Sequence, residues 1–501
     1  MSIGLDIGSS SVKAFSLDQR GRATLLGRRR IGTRRGPGAR VEHDAEEILR
    51  ATGASLRGAR DGGRLGLATQ RSTVLFWDRD SGRALTAAYS WQDLRGARLC
   101  ARLQRSTGRL VAERTGLRLS PHYAASKIAW ALRRVPGLRR QIVSGRALWG
   151  TLGTYLAWRL SEGAVYAIDH ANAQRTALVS LDPSGWDFDL FRLFGLDDLL
   201  VAPVLPALVP TFLASPPRLA SAGRSFALAQ VTGDQQAALL GLGCRAPGDL
   251  AINYGSGAFV LINVGDRPLR VPGLLTTLLA SWAGGAHGTR ARYAVEGPVN
   301  AAATALEWVL RRLRLRLHTR DLDAYLGPDP GGARAVHFLP AVSGLGAPRW
   351  IPGARPLFSG DLRNAGPRDL LRAAVESIAC RCAEILRAAR AGGAPDSRHA
   401  PVPVAGGLVR CRALLQAQSD LLQRPLRVRE SADATAVGAA LLARDGPDGT
   451  FGPRGGRGGR DEGDLYVRPR ISADEAEARF GAWERAVYGP GAGGLSPRPA
   501  R

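Results

Sequence analysis

The stretch LDIGSSSVKAFSLD (Leu5–Asp18) sets an acid, a glycine and three serines between two apolar runs, and INYGSGAFVLINVGD (Ile252–Asp266) repeats the device in the second half of the chain. In each, an apolar run long enough for a buried strand meets a Gly/Ser turn and re-enters an apolar strand. Glycine permits the left-handed conformations that point successive backbone N–H groups inward, and serine hydroxyls add donors, so such a turn can hold an anion. Either turn alone is also what a plain hairpin needs. Two matched turns predict two similar α/β units that grip one polyphosphate from both sides.

Working outward, SIGLDIG, VKAFSLD and ATLLGR predict three strands, RLGLATQ (Arg64–Gln70) a fourth, and RDSG inside TVLFWDRDSGRAL a hairpin turn. From Asp93 to about Leu160 the apolar spacing is helical, and KIAWALRRV (Lys127–Val135) and LWGTLGTYLAWRL (Leu148–Leu160) predict core-facing helices. RAPGD (Arg245–Asp249) reads as a break, which predicts one unit over 1–245 and a second over 246–490. The second unit shows predicted helices over GPVNAAATALEWVLRRL (Gly297–Leu313) and PRDLLRAAVESIACRCAEILRAA (Pro367–Ala389), and PVPVAGGLV as a strand running into a glycine turn. DGPDGTFGPRGGRGGRD (Asp445–Asp461) has no apolar periodicity and predicts a flexible loop. ADEAEARFGAWERAVYG predicts a last helix, followed by a disordered tail over 491–501.

The chain has 501 residues, 45% of them hydrophobic and 22% charged, which suits a globular protein with a sizeable core. Its net charge of +26 invites a phosphate-backbone partner, yet the only lysines are Lys13 and Lys127, and the arginines are scattered through helices, loops and both termini. That scatter fits a compositional bias of the genome better than a nucleic-acid track, and no specific nucleic-acid partner is expected. Cys100, Cys244, Cys380, Cys382 and Cys411 lack the paired spacing of a zinc site and are expected to be buried, reduced thiols. No apolar run reaches about 18 residues, so no membrane insertion and a cytoplasmic protein are expected.

In TGDQQAALLG (Thr232–Gly241) Asp234 opens a predicted helix. An acid there is the usual choice for an N-cap. An acid at a strand-to-helix junction facing a cleft is also placed to accept a proton from a hydroxyl, as a kinase base does. The double glycine Gly406–Gly407 lets a flat ring or a phosphate approach, or lets strand and helix pack tightly.

LDIGSSSVKA, GDQQAALLG, NYGSGAF and the paired glycines, in this order, resemble the FGGY carbohydrate kinases. TQRSTVLFWDRDSGRALTAAYSWQD, GLLTT…YAVEGPV and LPAVSGLGAPRW resemble the glycerol kinase branch of that family, and the resemblance covers most of the chain. It implies two ribonuclease H-like domains of actin-like ATPase architecture with ATP in the cleft between them. Asp6 would hold Mg²⁺, directly or through water. Gly8, Ser9, Ser10 and Lys13 would face the phosphates from one side, and Gly255, Ser256 and Gly257 from the other. Asp234 would be the general base, and Gly406, Gly407 and Cys411 would border the adenine. A small polyol or sugar, glycerol first, would be held by Arg71, Ser72, Trp91, His122, Asp234, Gln235 and Phe259. Ser72 stands where the family has a glutamate and His122 where it has a tyrosine, with Tyr123 next to it, so the alternatives are a kinase for another sugar or polyol and a non-catalytic ATP-binding regulator. Gly153 stands where the family has an aspartate. The resemblance also implies a possible homo-oligomer, and LASAGRSFALAQVTG lacks the loop that forms an allosteric sugar-phosphate site in some bacterial relatives.

Overall fold

Ser2–Ile7 is buried at every position, as a strand covered on both faces must be. In the computed structural model, which describes residues 1–202, 204–284, 288–329, 331, 335–428, 433–452 and 464–489, this strand is central to a six-stranded sheet. It pairs antiparallel with Ser11–Leu17, which pairs antiparallel with Ala23–Arg30. On its other side it pairs parallel with Arg64–Thr69, then come parallel Arg224–Gly233 and the antiparallel edge strand Arg218–Ser221. In the second sheet Leu250–Tyr254 takes the corresponding place. It pairs antiparallel with Ala258–Gly265 and parallel with Val402–Gly406, which pairs parallel with Leu426–Val428. Thr289–Val299 and Leu275–Ala283 extend the antiparallel side, and Leu465–Val467 closes the other edge. The order of three antiparallel strands followed by two parallel ones therefore occurs twice, which is the duplicated ribonuclease H-like architecture.

Each sheet has its own apolar core, with Leu5, Leu67 and Leu228 in the first and Ile252, Val260, Val404 and Ile378 in the second. Between Arg64–Thr69 and Arg224–Gly233 the chain builds a smaller layer. Val74–Asp78 and Ala147–Thr151 pair there and cover the helices Ala97–Thr115 and Ala124–Arg134 through Phe76, Trp149 and Ile128. The loops of this layer carry Arg71, Trp91 and His122.

The predicted helix over Leu148–Leu160 is a strand, Ala147–Thr151, followed by a helix, Leu152–Leu160. The Thr151 hydroxyl accepts from the Thr154 amide and starts the helix, and an apolar run buried on both sides reads alike in either state. Likewise Gly297–Val299 finish a strand, and the helix begins at Ala303.

The break at Arg245–Asp249 lies between the helix Asp234–Gly241 and the strand Leu250–Tyr254. The helix Ala434–Phe451, however, crosses back and packs on the first sheet. Gly4 and Gly66 are direct partners in that sheet, and a Cβ on either would fall 1.8 Å from Ala436 O or 2.1 Å from Ala439 O. The same helix meets Asp234–Gly241 at Gly438 and Gly241, where an added Cβ would again strike backbone. Small residues thus let one helix touch both the first sheet and the helix that begins with Asp234.

Asp445–Phe451, predicted as loop, are helical beyond a kink at Gly446, whose φ of 63° interrupts the helix. Pro447 is tolerated because it opens a new first turn, and the segment is held by the Arg245–Asp445 ion pair and by Phe451 stacked on Trp282. The rest of the predicted loop beyond Gly452, and the tail 491–501, lie outside the described residues. All five cysteines are buried and stand outside any disulfide. Among the described residues no helix is long and apolar enough to cross a membrane.

Candidate active site

The two Gly/Ser turns are tight. The Gly8 amide donates to Ser11 O at 3.1 Å, and the Gly255 amide to Gly257 O at 2.7 Å. Gly257 must be glycine, since a Cβ there would sit 2.4 Å from Val299 O, while Ser10, Gly255 and Ser256 remain exposed.

Asp6 and Lys13 are direct partners across the first hairpin and stand 4.0 Å apart, and Lys13 makes its closer contact, 2.6 Å, with Asp433 at the start of the helix Ala434–Phe451. Burial pushes the Asp6 carboxyl up to about 7, with Lys13 opposing and the charges of Asp234 and Asp433 adding to the rise. Asp6 and Asp433 share one lysine and Asp234 adds its charge to the field at Asp6, a balance that an added cation would relieve. Among the described residues no group of three or more His, Cys, Asp or Glu side chains assembles to cage a metal. Asp6 offers a hard oxygen ligand of the kind Mg²⁺ takes.

Asp234 is the first residue of its helix, but the N-cap is Gly233, and the Asp234 side chain caps nothing. Its Oδ1 accepts from the Gln235 amide at 2.8 Å and lies 3.5 Å from Arg71 Nε, and a quarter of the side chain is exposed. Burial raises its pKa and Arg71 partly opposes the rise, which makes it a carboxylate ready to take a proton. Gln235 accepts from Asn253 of the second sheet at 3.2 Å, and the Phe259 ring lies 6.0 Å from the Arg71 guanidinium.

Arg71 donates through both terminal nitrogens to Glu296, at 2.8 and 2.9 Å. Arg175 also bonds Glu296, and Thr277 Oγ1 donates to it at 3.0 Å. Burial pushes the Glu296 carboxyl up, yet Arg175 and Arg71 outweigh it and hold it at about 2. This buried cluster spans the cleft, Glu296 coming from the second sheet and both arginines from the first half of the chain.

Ser72 has a left-handed φ of 63°, uncommon outside glycine, and its hydroxyl donates to Arg175 O at 3.1 Å. His122 is exposed, with Nδ1 3.0 Å from Trp91 O, whereas Tyr123 is buried within the field of the Arg175, Glu296 and Arg71 charges. A phenol thus reaches the buried cluster from Tyr123, the residue after His122. Trp91 Nε1 donates to Ser9 Oγ at 3.0 Å, and Ser9 Oγ donates to Gln70 Oε1 at 3.2 Å, which joins the first turn to the Trp91 loop.

At the far end Gly406 has φ 101°, and a Cβ there would fall 2.1 Å from Tyr254 O, so it serves close strand packing. Gly407 faces open space beside a depression of about 280 Å³ lined with His318, Thr319 and Arg410. Cys411 is buried under that surface with its thiol 3.8 Å from Asp323. Asp323 caps the following helix through the Arg412 and Ala413 amides at 2.8 and 3.0 Å.

Sequence reasoning missed Glu296, Arg175, Tyr123, Asp433 and Asp323. Glu296 carried a signal, a lone acid within the apolar strand YAVEGPV; Arg175 and Asp323 carried none, because their roles exist only through partners distant in sequence.

Residues 1–241 match the N-terminal domain of the FGGY family of carbohydrate kinases, and residues 250–444 match its C-terminal domain. The chain is 37% identical to a glycerol kinase of Methylobacterium nodulans over 88% of both chains, and 36% identical to one of Bordetella parapertussis over 97% of this chain and 96% of that one. Among solved structures, Plasmodium falciparum glycerol kinase with ADP superposes with a TM-score of 0.84 at 24% identity, covering 97% of each chain. A xylulose kinase from Brucella ovis superposes at 0.80 and 21%, covering 97% of this chain and 98% of that one. The cleft with its two Gly/Ser turns, partly exposed Asp234 and buried arginines thus lies on a chain that belongs to the FGGY family of carbohydrate kinases and is an ATP-dependent kinase acting on an alcohol group.

Proposed function

We propose that the protein transfers the γ-phosphoryl group of ATP to a terminal hydroxyl of glycerol, with Asp234 as general base. The observation that supports this most is Asp234 itself: a partly exposed carboxylate, free of any capping role, beside Arg71 and within the field of Asp6. Burial raises its affinity for a proton and Arg71 partly opposes the rise, the kind of balance a general base needs. The two Gly/Ser turns and Lys13 bind the phosphates, Arg71 and Trp91 orient the acceptor, and the adenine lies along Gly407. Asp6 would hold Mg²⁺, which would supply charge neutralisation on the transferred group. The names of the relatives favour glycerol as acceptor.

Ser72 and His122 favour a second reading, a larger polyol or sugar. The Ser72 hydroxyl is committed to Arg175 O, so this position offers an acceptor hydroxyl no carboxylate, and each buried hydroxyl left unpaired costs about 1–3 kcal/mol.

ADP release with Mg-ATP and a panel of glycerol, C4 to C6 polyols and pentoses decides between them. Saturable turnover with glycerol, falling about 10²–10⁴-fold in Asp234→Asn with the fold intact, is expected. Turnover only with a longer polyol moves the assignment to the second reading. Undiminished turnover in Asp234→Asn refutes the role of the base, and ATP binding without turnover of any compound refutes the kinase assignment of this site.

A further inference from the structure

Of the 69 lysine and arginine residues only Lys13 and Lys127 are lysine. A chain that uses arginine almost everywhere keeps lysine where a compact ammonium with three divergent donors does what a planar fork cannot. Lys13 stands in the cleft beside Asp6 and Asp433. Lys127 does not reach the cleft. It is fully buried near the start of the helix Ala124–Arg134, and its Nζ donates to the backbone carbonyls of Ser72, Ser90 and His122, each at 2.8 Å.

Those three carbonyls lie on three loops that are remote in sequence. The first carries Arg71, the second precedes Trp91, and the third precedes Tyr123. All three ammonium protons are used, and none goes to a carboxylate: Asp93, whose charge Lys127 feels, is itself bonded by Arg95. Burial pushes the ammonium down to about 7, so the charge opposes folding where it sits. A methionine would fill the same space without that penalty. What the ammonium adds is a fixed geometry for three loops whose own bonds to one another are few, such as His122 to Trp91 O.

We propose that Lys127 is a positioning residue of the acceptor site: one ammonium pins the loops of Arg71, Trp91 and Tyr123 in mutual register, so that acceptor affinity depends on a side chain that never touches the acceptor. Polar groups ordered in advance lose less freedom when the ligand binds. The inference rests on the reading that these loops hold the acceptor. The part of the nucleotide side on the second sheet, Tyr254–Gly257 and Val402–Cys411, is built on other segments and does not depend on it; the first Gly/Ser turn meets the Trp91 loop through Ser9.

The test uses Lys127→Met, which removes every donor, and Lys127→Gln, which keeps two and carries the test if the first variant does not accumulate folded. In steady-state assays the acceptor KM rises about tenfold or more in Lys127→Met and less in Lys127→Gln, while the ATP KM and kcat at saturating acceptor stay within about twofold. In hydrogen–deuterium exchange of the free protein, peptides spanning 70–74, 89–93 and 120–124 lose protection together, while those spanning 252–258 and 402–411 do not. A fall in kcat with unchanged acceptor KM overturns the proposal. So does retained protection in the three segments, or equal loosening everywhere, which would mark general stabilisation. If the wild type turns over no polyol or sugar, the acceptor reading fails, and the exchange pattern still decides whether Lys127 ties the loops.

Discussion

Replacing Glu296 by glutamine removes the charge that two buried guanidiniums share. Arg71 grips the carboxylate through two bonds of 2.8 and 2.9 Å, Arg175 and Thr277 bond it as well, and all four side chains are less than a tenth exposed. Glutamine keeps the shape and one acceptor oxygen but turns two N–H donors toward guanidinium N–H groups. Breaking a buried pair by changing one partner costs about 3–5 kcal/mol, because the remaining charges stay buried. There is also a chemical consequence. Arg71 Nε is already 3.5 Å from Asp234 Oδ1, and once released from Glu296 it moves onto Asp234, lowers its proton affinity and weakens the base. Urea unfolding followed by tryptophan fluorescence, together with kcat against pH, measures both. We expect a loss of about 3–5 kcal/mol and a shift of the Asp234 limb to lower pH. The wild-type advantage should also fade in acid: a carboxyl held below its ordinary 4.5 contributes stability that is present above that value and is lost as pH falls toward about 2. A loss below about 1 kcal/mol, the size expected of an exposed pair, with an unmoved limb would refute the account of a shared buried charge.

Asp6 has the opposite sign. Its folded pKa of about 7 lies above the ordinary 3.8, so the folded protein binds the proton more tightly and stability falls as pH rises between those values. In chelator, Asp6→Asn should therefore gain in Tm over wild type more at pH 8 than at pH 5, while losing turnover; an equal difference at both pH values would contradict this. Gly66→Ala places a Cβ 2.1 Å from Ala439 O, and because that atom is helix backbone the protein should lose about 1–3 kcal/mol or more in urea unfolding, against essentially none if the helix can shift. Gly153→Ala, by contrast, meets only ordinary contacts, the nearest at 3.5 Å from Thr69 and Val231, inside the helix Leu152–Leu160; it should stabilise by about 0.5–1 kcal/mol, and a lowered Tm would show the site is tighter than that.

Elements whose cause is local were legible. The strand Ser2–Ile7, the Gly/Ser turn and the strand Ser11–Leu17 follow from a few adjacent residues, and the same holds for Ile252–Asp266; the repetition of that unit pointed to a doubled fold before any contact was known. Legibility failed where two structures share one apolar pattern, as at Leu148–Thr151, and where distant partners hold a segment that its own residues would leave loose, as Arg245 and Trp282 hold Asp445–Phe451. The N-cap reading of Asp234 was equally local and was decided by one residue, since Gly233 takes the cap and the Asp234 carboxylate meets the Gln235 amide and Arg71 instead.

Taken by itself, then, the sequence determined the doubled α/β architecture and the two turns, because strand periodicity and turn chemistry act over a few residues, while the gathering of Asp6, Lys13, Arg71 and Asp234 at one cleft was what the family resemblance implied. Only the tertiary structure decided that Tyr123 rather than His122 joins the buried cluster, that Glu296, 225 positions away, is the main partner of Arg71, and that Lys127 binds three loops. Which atom faces a cleft depends on a rotation of about 100° per residue at the start of a helix, and which charges meet depends on how two sheets close on each other. Neither quantity is written in any short stretch of the chain.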